Sequence, residues 1–513
     1  MRTCPLVRAT APRGARRARV AALTAAAIVA CAAFLLPVAP APQARAVGTP
    51  LTQAEVTELV SRAVTYARRL QRRRPLTVAV VDVEGNALGV FHMNGSQGSR
   101  AVALAKAATA SYFSSDFGSF TTRTAAFIIQ DHFPPGVRFA PGGPLYGVEF
   151  SSIATSDVNQ IYLPGPEAGV TFGSLPEGAQ ARVRGELGAV ALYKNGRRVG
   201  AIGLDDGRDD ELTIPARKIL DPSQPYRITF RKLERGRNLE RIAMASARGY
   251  LPGRAKRANK IYLDGFALPY RRPVRVRPVA TRTITPGVDG DYDPRYPLRD
   301  AASIPARFAP LTRAPPPGAG PDARSFEVSK PVAFDVRAGT DGLLSADDVR
   351  RILWQGVQRA NITRAAIRRP IGLAMQCWVS VVDTNGEVLG VVRTPDATLF
   401  SYDVSVQKAR TAVLFSDDRV AWSCRAVGQH AQEFFPAGQQ SRGLGPLHQL
   451  QDGLTVGLLT GAFGTPADGL VRNGITIFPG GVPLYRDGVL VGGVGVSGDG
   501  VDQDDIVADF ASI

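Results

Sequence analysis

The sequence predicts an α+β protein in which one domain is used twice, each copy packing helices on an antiparallel sheet. Three observations predict this. First, KAATASYFSSD (106–116) reappears as KARTAVLFSDD (408–418) at an offset of 302. Second, other blocks keep the same order. VAVVDVEGNALGV (78–90) matches VSVVDTNGEVLGV (379–391) at eight of thirteen positions, offset 301. HFPPG (132–136) answers FFPAG (434–438), and GGPLYGV (142–148) answers LGPLHQL (444–450). NGRRVGAIGLDDG (195–207) answers DGVLVGGVGVSGDG (487–500) at an offset of 292, so the first copy carries about ten extra residues after Val148. Third, each copy reads helix, hairpin, helix, more hairpins and a last helix. The period is too long for a solenoid and implies tandem duplication.

The elements follow in order. Residues 1–46 join a basic start with six arginines in the first twenty residues to an apolar run and an Ala44-Arg45-Ala46 site, the pattern of a secretory signal peptide. Arg16-Arg17 allows twin-arginine as well as Sec export. Cys31 resembles a lipoprotein site, but the apolar run continues past it, so simple cleavage is favoured. The first domain spans 51–270. Thr52 and Glu55 form a capping box for a helix whose inner face is Val56, Leu59, Val60, Ala63, Val64 and Ala67. A β-branched strand, a turn at Gly85 and a second strand make a hairpin, and Lys106 lies on the helix after it. Later strands are IYLPG, AVALYK and RVGAIGL. Residues 271–340, rich in Pro and Arg, read as an extended linker; DGDYDP (289–294) lacks the Gly and Glu of a calcium loop and reads as solvated. The second domain spans 341–513. It has a Ser345-capped helix, a hairpin turning at Gly386, the Lys408 helix, and strands in ITIFPGGVPLY and VLVGGVGV.

Composition bounds the function. Hydrophobic residues make up 44% of the 513 and charged residues 21%, ordinary for globular domains. Removing residues 1–46 takes seven arginines and no acid, lowering the net charge from +17 to about +10. This is a basic surface without a concentrated nucleic-acid-binding face or motif. The rest of the chain has no apolar run near 18 residues, hence no predicted transmembrane helix. Cys377 and Cys424 are the only cysteines beyond residue 46, either disulfide-bonded or buried as free thiols. They form no C-x-x-C pattern, and no hydrolase, P-loop, zincin or dinucleotide motif is present, so an enzyme is the weaker expectation.

KARTAVLFSDD, FPGGVPLY and VGGVGVSGDGVDQDD together resemble the GlcG/HbpS-like family of haem-binding and corrinoid-associated domains. Copy two shows the K-A-x-T-A helix, the G-G-x-P turn (Gly480 to Pro483), the glycine-rich strand and the acidic start of the last helix. Copy one keeps the Lys106 helix and the Gly200 to Gly203 strand, with GELGAVALY in place of G-G-x-P. The resemblance implies two profilin-like α-β-α sandwich domains with central antiparallel sheets, often homo-oligomeric. It also implies binding of a small molecule such as haem b.

The residues can be read without the family. Gly480 and Gly481 suit a tight hairpin, and Asp504 and Asp505 suit the start of the last helix. Lys106 and Lys408 either snorkel to solvent or meet a ligand carboxylate such as a haem propionate. Iron prefers His, Met, Cys or Tyr. Of His92, His132, His430 and His448, none recurs in the other copy, but Tyr146 answers His448 in the shared G-P-L-x motif. Tyr146 and His448 are therefore the candidate axial ligands, with Met93 beside His92 a weaker option. The ligand-binding candidates are Lys106, Lys408, Tyr146, His448, Gly480 and Gly481. The expected function is an exported, secreted or periplasmic haem (tetrapyrrole)-binding protein for iron handling or redox sensing. The alternatives are a structural module with a decayed pocket, or a binder of another small organic ligand.

Overall fold

The computed structural model describes residues 48–70, 74–129, 133, 141–148, 151, 156–158, 170–171, 183–184, 187–207, 237–271, 280–308, 310–319, 325–329, 335–436, 443–459 and 469–513. The expected signal segment, His132 and the IYLPG strand lie outside them. In the first half, α1 (Gln53–Leu70) precedes the hairpin β1 (Thr77–Val81) and β2 (Ala87–Met93). Then come α2 (Arg100–Tyr112), α3 (Thr122–Ile128), the hairpin β3 (Ala189–Lys194) and β4 (Arg197–Asp205), and α4 (Arg237–Ser246). A two-residue hairpin, β5 (Tyr262–Leu263) and β6 (Phe266–Ala267), follows, and then β7 (Gly290–Tyr292) and the pair β8 (Pro310–Arg313) and β9 (Phe326–Ser329). The second half runs α5 (Ala346–Ile362), β10 (Cys377–Val382), β11 (Val388–Arg393), α6 (Ser401–Leu414), α7 (Cys424–His430) and α8 (Leu450–Leu459). It ends with β12 (Gly481–Arg486), β13 (Val489–Gly498) and α9 (Val501–Ala511).

The first sheet is ordered β3-β4-β1-β2-β7 and the second β12-β13-β10-β11-β9-β8, all antiparallel. In each half one helix, α2 or α6, covers one sheet face, and the first and last helices pair on the other. The capping boxes form, Thr52 with Glu55 and Ser345 with Asp348, and every predicted inner-face residue of α1 is buried. Among the described residues no helix is long and apolar enough to cross a membrane.

The halves agree even in their irregularities. Bulges fall at Val80/Val81 and Val381/Val382, and at Leu192/Tyr193 and Leu484/Tyr485. The Tyr193 hydroxyl donates to the Ser115 carbonyl at 2.8 Å, and Tyr485 donates to that of Asp417 at 2.7 Å. A central glycine in each sheet lets a helix lie directly on the strand. A Cβ on Gly203 would sit 2.3 Å from the Ala103 carbonyl oxygen, and one on Gly495 would sit 1.9 Å from that of Ser405. Bulk at either point would push a helix off the sheet.

Two expectations change. The described residues of 271–340 do not read as an extended linker. β7 extends the first sheet beside β2, and β8–β9 extend the second beside β11. Asp289 and Asp293, expected to be solvated, are buried; Arg68 and Arg282 bind the first, and Arg100 and Arg295 the second. Proline breaks helices, but it tolerates extended edge positions, and the arginines find acids there. The ITIF run (475–478) is not a strand either. Thr476 donates its N–H to the Thr411 hydroxyl and its own hydroxyl to Gln407, so the segment is tied to α6 instead of a neighbouring strand.

The halves meet through buried polar bonds. Arg410 is fully buried, donates twice to Asp157 at 2.7 Å and reaches Asn473 at 2.9 Å. Burial alone would raise the Asp157 carboxyl, but the bonds and charge of Arg410 outweigh it and hold it below the usual carboxylate value. Phe113 stacks on Phe400 with ring centres 4.3 Å apart, and Leu399 donates to the Tyr112 carbonyl at 3.2 Å.

Candidate functional site

Lys408 stands on the face of α6 turned to the sheet and is fully buried. Its ammonium donates to Asp504 Oδ2 at 2.9 Å and to the Val496 carbonyl at 2.8 Å, with the Phe478 ring 5.1 Å away. Lys106, also fully buried, pairs with Asp205 Oδ1 at 3.1 Å. Neither side chain snorkels to solvent as the apolar helix pattern allowed, because a carboxylate waits inside each half. The acid sits on the last helix in the second half and on strand β4 in the first. Burial pushes the Asp504 carboxyl up to about 6, against the pull of Lys408.

Gly480 is not a hairpin residue. It precedes β12 with φ +116°, accepts the Val496 N–H at 2.7 Å and donates to Asp505 at 2.5 Å. A Cβ there would meet Val496 O, Asp504 and Lys408 Nζ within 2.7 Å. Gly188, from the GELGAVALY stretch, has φ +147° and accepts from Leu204 at 3.1 Å, so it fills the same role. Gly481 packs between the Lys408 carbonyl and Cys424 Sγ. Cys377 and Cys424 are both free, buried thiols. Burial pushes the Cys424 thiol up to about 12 and that of Cys377 well above its ordinary value, which keeps both in the unreactive protonated form.

Between the halves lies a cavity of about 450 Å³, within the range of small-molecule sites. The first half supplies Phe113, Phe120, Ile128 and Tyr146, together with the β5–β6 hairpin; the second supplies Phe400, Ile477 and Phe478. The polar wall comes from α7, the turn just after it and the start of α9, with Arg425, Gln429, Gln432, Asp502 and Asp504. Arg425 bridges to Asp505 at 2.5 Å and to Asp502 at 2.6 Å.

Of the residues singled out from sequence, Tyr146 lies on this wall; His448 and Gly480 do not, although Lys408 and Gly480 sit just behind Asp504 and Phe478. Burial lowers the His448 pKa below its ordinary value. His430 binds the Ala426 carbonyl at 2.9 Å between Trp422 and Phe435, His92 binds the Thr77 hydroxyl at 2.8 Å, and the Met93 sulfur accepts from Leu76. No described group of three or more His, Cys, Asp or Glu could hold a metal ion. Arg425 and Gln429 escaped sequence reasoning because they belong to no repeated motif, Ile477 and Phe478 were read only as part of the ITIFPGGVPLY strand and motif, and only the packing of the two halves brings all four to Tyr146.

A family model described as "Haem degrading protein HbpS-like" matches residues 357–512. An uncharacterized 15.0 kDa protein of Citrobacter freundii, from a dhaT-dhaS intergenic region, is 33% identical over 132 residues, 26% of this chain and 70% of that one. The chain belongs to the HbpS-like family. The HbpS-like match falls in the second half, on the elements from α5 to α9. The corrinoid adenosyltransferase PduO of Salmonella typhimurium is 31% identical over 150 residues, 29% of this chain, and the chain spans only 35% of that relative's length. The solved structure of the PduOC:Heme complex is similar over 33% of this chain and 91% of that chain, at 26% identity and a TM-score of 0.22.

Proposed function

We propose that this is a haem- or tetrapyrrole-binding protein whose ligand enters the cavity between the halves. The single observation that carries the reading is a cavity with an aromatic side and a polar side, bordered by the family-matched segment. Its lining suits a flat ring system: Phe113, Phe400 and Phe478 are aromatic wall residues, and Arg425 is a cation at the rim. Haem b, when bound, supplies an iron centre. Tyr146 and Tyr262 are the wall residues of an iron-ligating type among those described, Tyr146 the one the sequence pattern also singles out, and Arg425 would neutralise a propionate. A neutral or cationic aromatic ligand is the second reading. It is favoured by Asp264, Asp502 and Asp504, which outnumber Arg425 on the wall. We also read the matched bulges and glycines as tandem duplication. Export through residues 1–46, by the Sec or twin-arginine route, and a role in iron handling or redox sensing belong to the same proposal, as does self-association.

Haemin titration followed by absorbance tests it. Saturable binding with a shifted Soret band is expected. Tyr146→Phe should weaken it at least about tenfold, which is ~1.4 kcal/mol. A spectrum that matches haemin in buffer would sink the tetrapyrrole reading. N-terminal sequencing of protein recovered outside the cell tests export: a start near Val47 is expected, and an intact Met1 would refute it.

A further inference from the structure

The halves are built alike, yet their corresponding sites have different fates. The offsets of 302 and 292 carry Gly428, Gln429 and Pro479 of the cavity wall onto Ala126, Phe127 and Leu187. Geometry extends the correspondence to the last helices. Arg425 pairs with Asp505, and Arg123 pairs in the same way with Glu240 at 2.7 Å. A Cβ on Gly480 would meet Asp504, and one on Gly188 would meet Leu239. In the second half these positions line the cavity, with Gln429 exposed and Pro479 half-buried although Gly428 and Asp504 are buried. In the first, Ala126, Phe127, Leu187 and Leu239 are all buried.

The chain that follows α4 packs against their neighbours Thr124, Phe133 and Glu240. Thr124 donates its hydroxyl to the Pro269 carbonyl at 2.8 Å, and Arg271 approaches Glu240 to 3.8 Å. Leu268 and Tyr270 are buried, with Arg257 over the Tyr270 ring. Phe127 meets Phe133 edge-on, and Phe133 in turn meets Phe266. Gln429 is exposed at the position corresponding to the buried Phe127, and Ile477 and Phe478, themselves buried, line the cavity beside it. The same segment also sends Tyr262, Leu263 and Asp264 to the rim of the open cavity.

We propose that residues 261–271 are a built-in plug: they fill the first half's counterpart of the ligand site, so each chain offers one site, at α7 and the start of α9. This inference deepens the proposed function and rests on its choice of cavity, but not on the ligand being haem. Its test therefore uses two probes on the full chain, anilinonaphthalene sulfonate by fluorescence and haemin by absorbance. One saturable site per chain is expected for the fluorescent probe. Gln429→Phe, which copies the first half's residue, should abolish it. A double change, Phe266→Ser with Tyr270→Gly, should add a second site. If that variant fails to fold, judged by circular dichroism, Gln429→Phe still decides. Zero or two sites in the unaltered chain, or undiminished binding in Gln429→Phe, would overturn the plug. Failure of haemin alone, with one site for the other probe, overturns the tetrapyrrole reading and leaves the plug standing.

Discussion

Lys408→Met is expected to cost about 3–5 kcal/mol of stability, the usual result of stripping the partner from a buried ion pair. The pair is fully enclosed, with Asp504 and the Val496 carbonyl both turned to the ammonium, so solvent cannot repair the loss. The double variant Lys408→Met/Asp504→Leu should recover much of it, because no lone charge is then left inside. The deficit also depends on pH. Asp504 already stands at about 6 in the folded protein, and losing the ammonium moves it further up. Above about 6 the unaltered protein ionises Asp504 beside its ammonium, whereas the variant must keep the carboxyl protonated or, at still higher pH, bury it ionised and unpaired; below about 6 the carboxyl is protonated and neutral in both proteins. The deficit therefore narrows as pH falls through about 6 and widens above it. Urea unfolding midpoints at several pH values measure this. A loss below ~1 kcal/mol at neutral pH would show that the pair is dispensable.

Gly495→Ala is the second large effect, about 3 kcal/mol, at the upper end of overpacking costs. The added methyl would lie 1.9 Å from the Ser405 carbonyl oxygen and 2.6 Å from the Ala409 nitrogen. Both are helix backbone, which cannot turn aside as a side chain would. The helix must rise off the sheet and loosen its packing. Gly453→Ala is the control: it lies in α8 with nothing within 4 Å of the new methyl, and alanine favours helices, so that variant should hold or gain up to about 1 kcal/mol. If both variants unfold at the midpoint of the unaltered chain, the close approach is not constraining.

Much of the architecture was legible because periodicity and local chemistry are carried by neighbouring residues. The α1 face, the Thr52–Glu55 capping box, the Ser345 cap and both turn glycines follow from spacing alone, and the two Lys helices were visible as a repeat. Partners were not legible. Lys106 finds Asp205, 99 residues away, and Lys408 finds Asp504, 96 away, and both acids looked like ordinary polar residues at element ends. The family pattern also misled at GELGAVALY, where Gly188 does the work of Gly480 without the G-G-x-P signature. Backbone conformation, not the motif, is what the β3 strand start shares with β12. The cavity was least legible because its two walls come from different halves, and sequence order gives no measure of how those halves dock.

The segment from Gly290 to Ser329 acts as a clasp: it closes an outer edge of each sheet, β7 on β2 and β9 on β11. An uncovered edge strand offers its free N–H and C=O groups to any neighbouring chain. The domain boundary that suits a sequence alignment is therefore the wrong place to cut. A fragment beginning at residue 341 would bare Val388–Arg393 and lose Val328 from its core, inviting aggregation, whereas one beginning ahead of Pro310 keeps its own border.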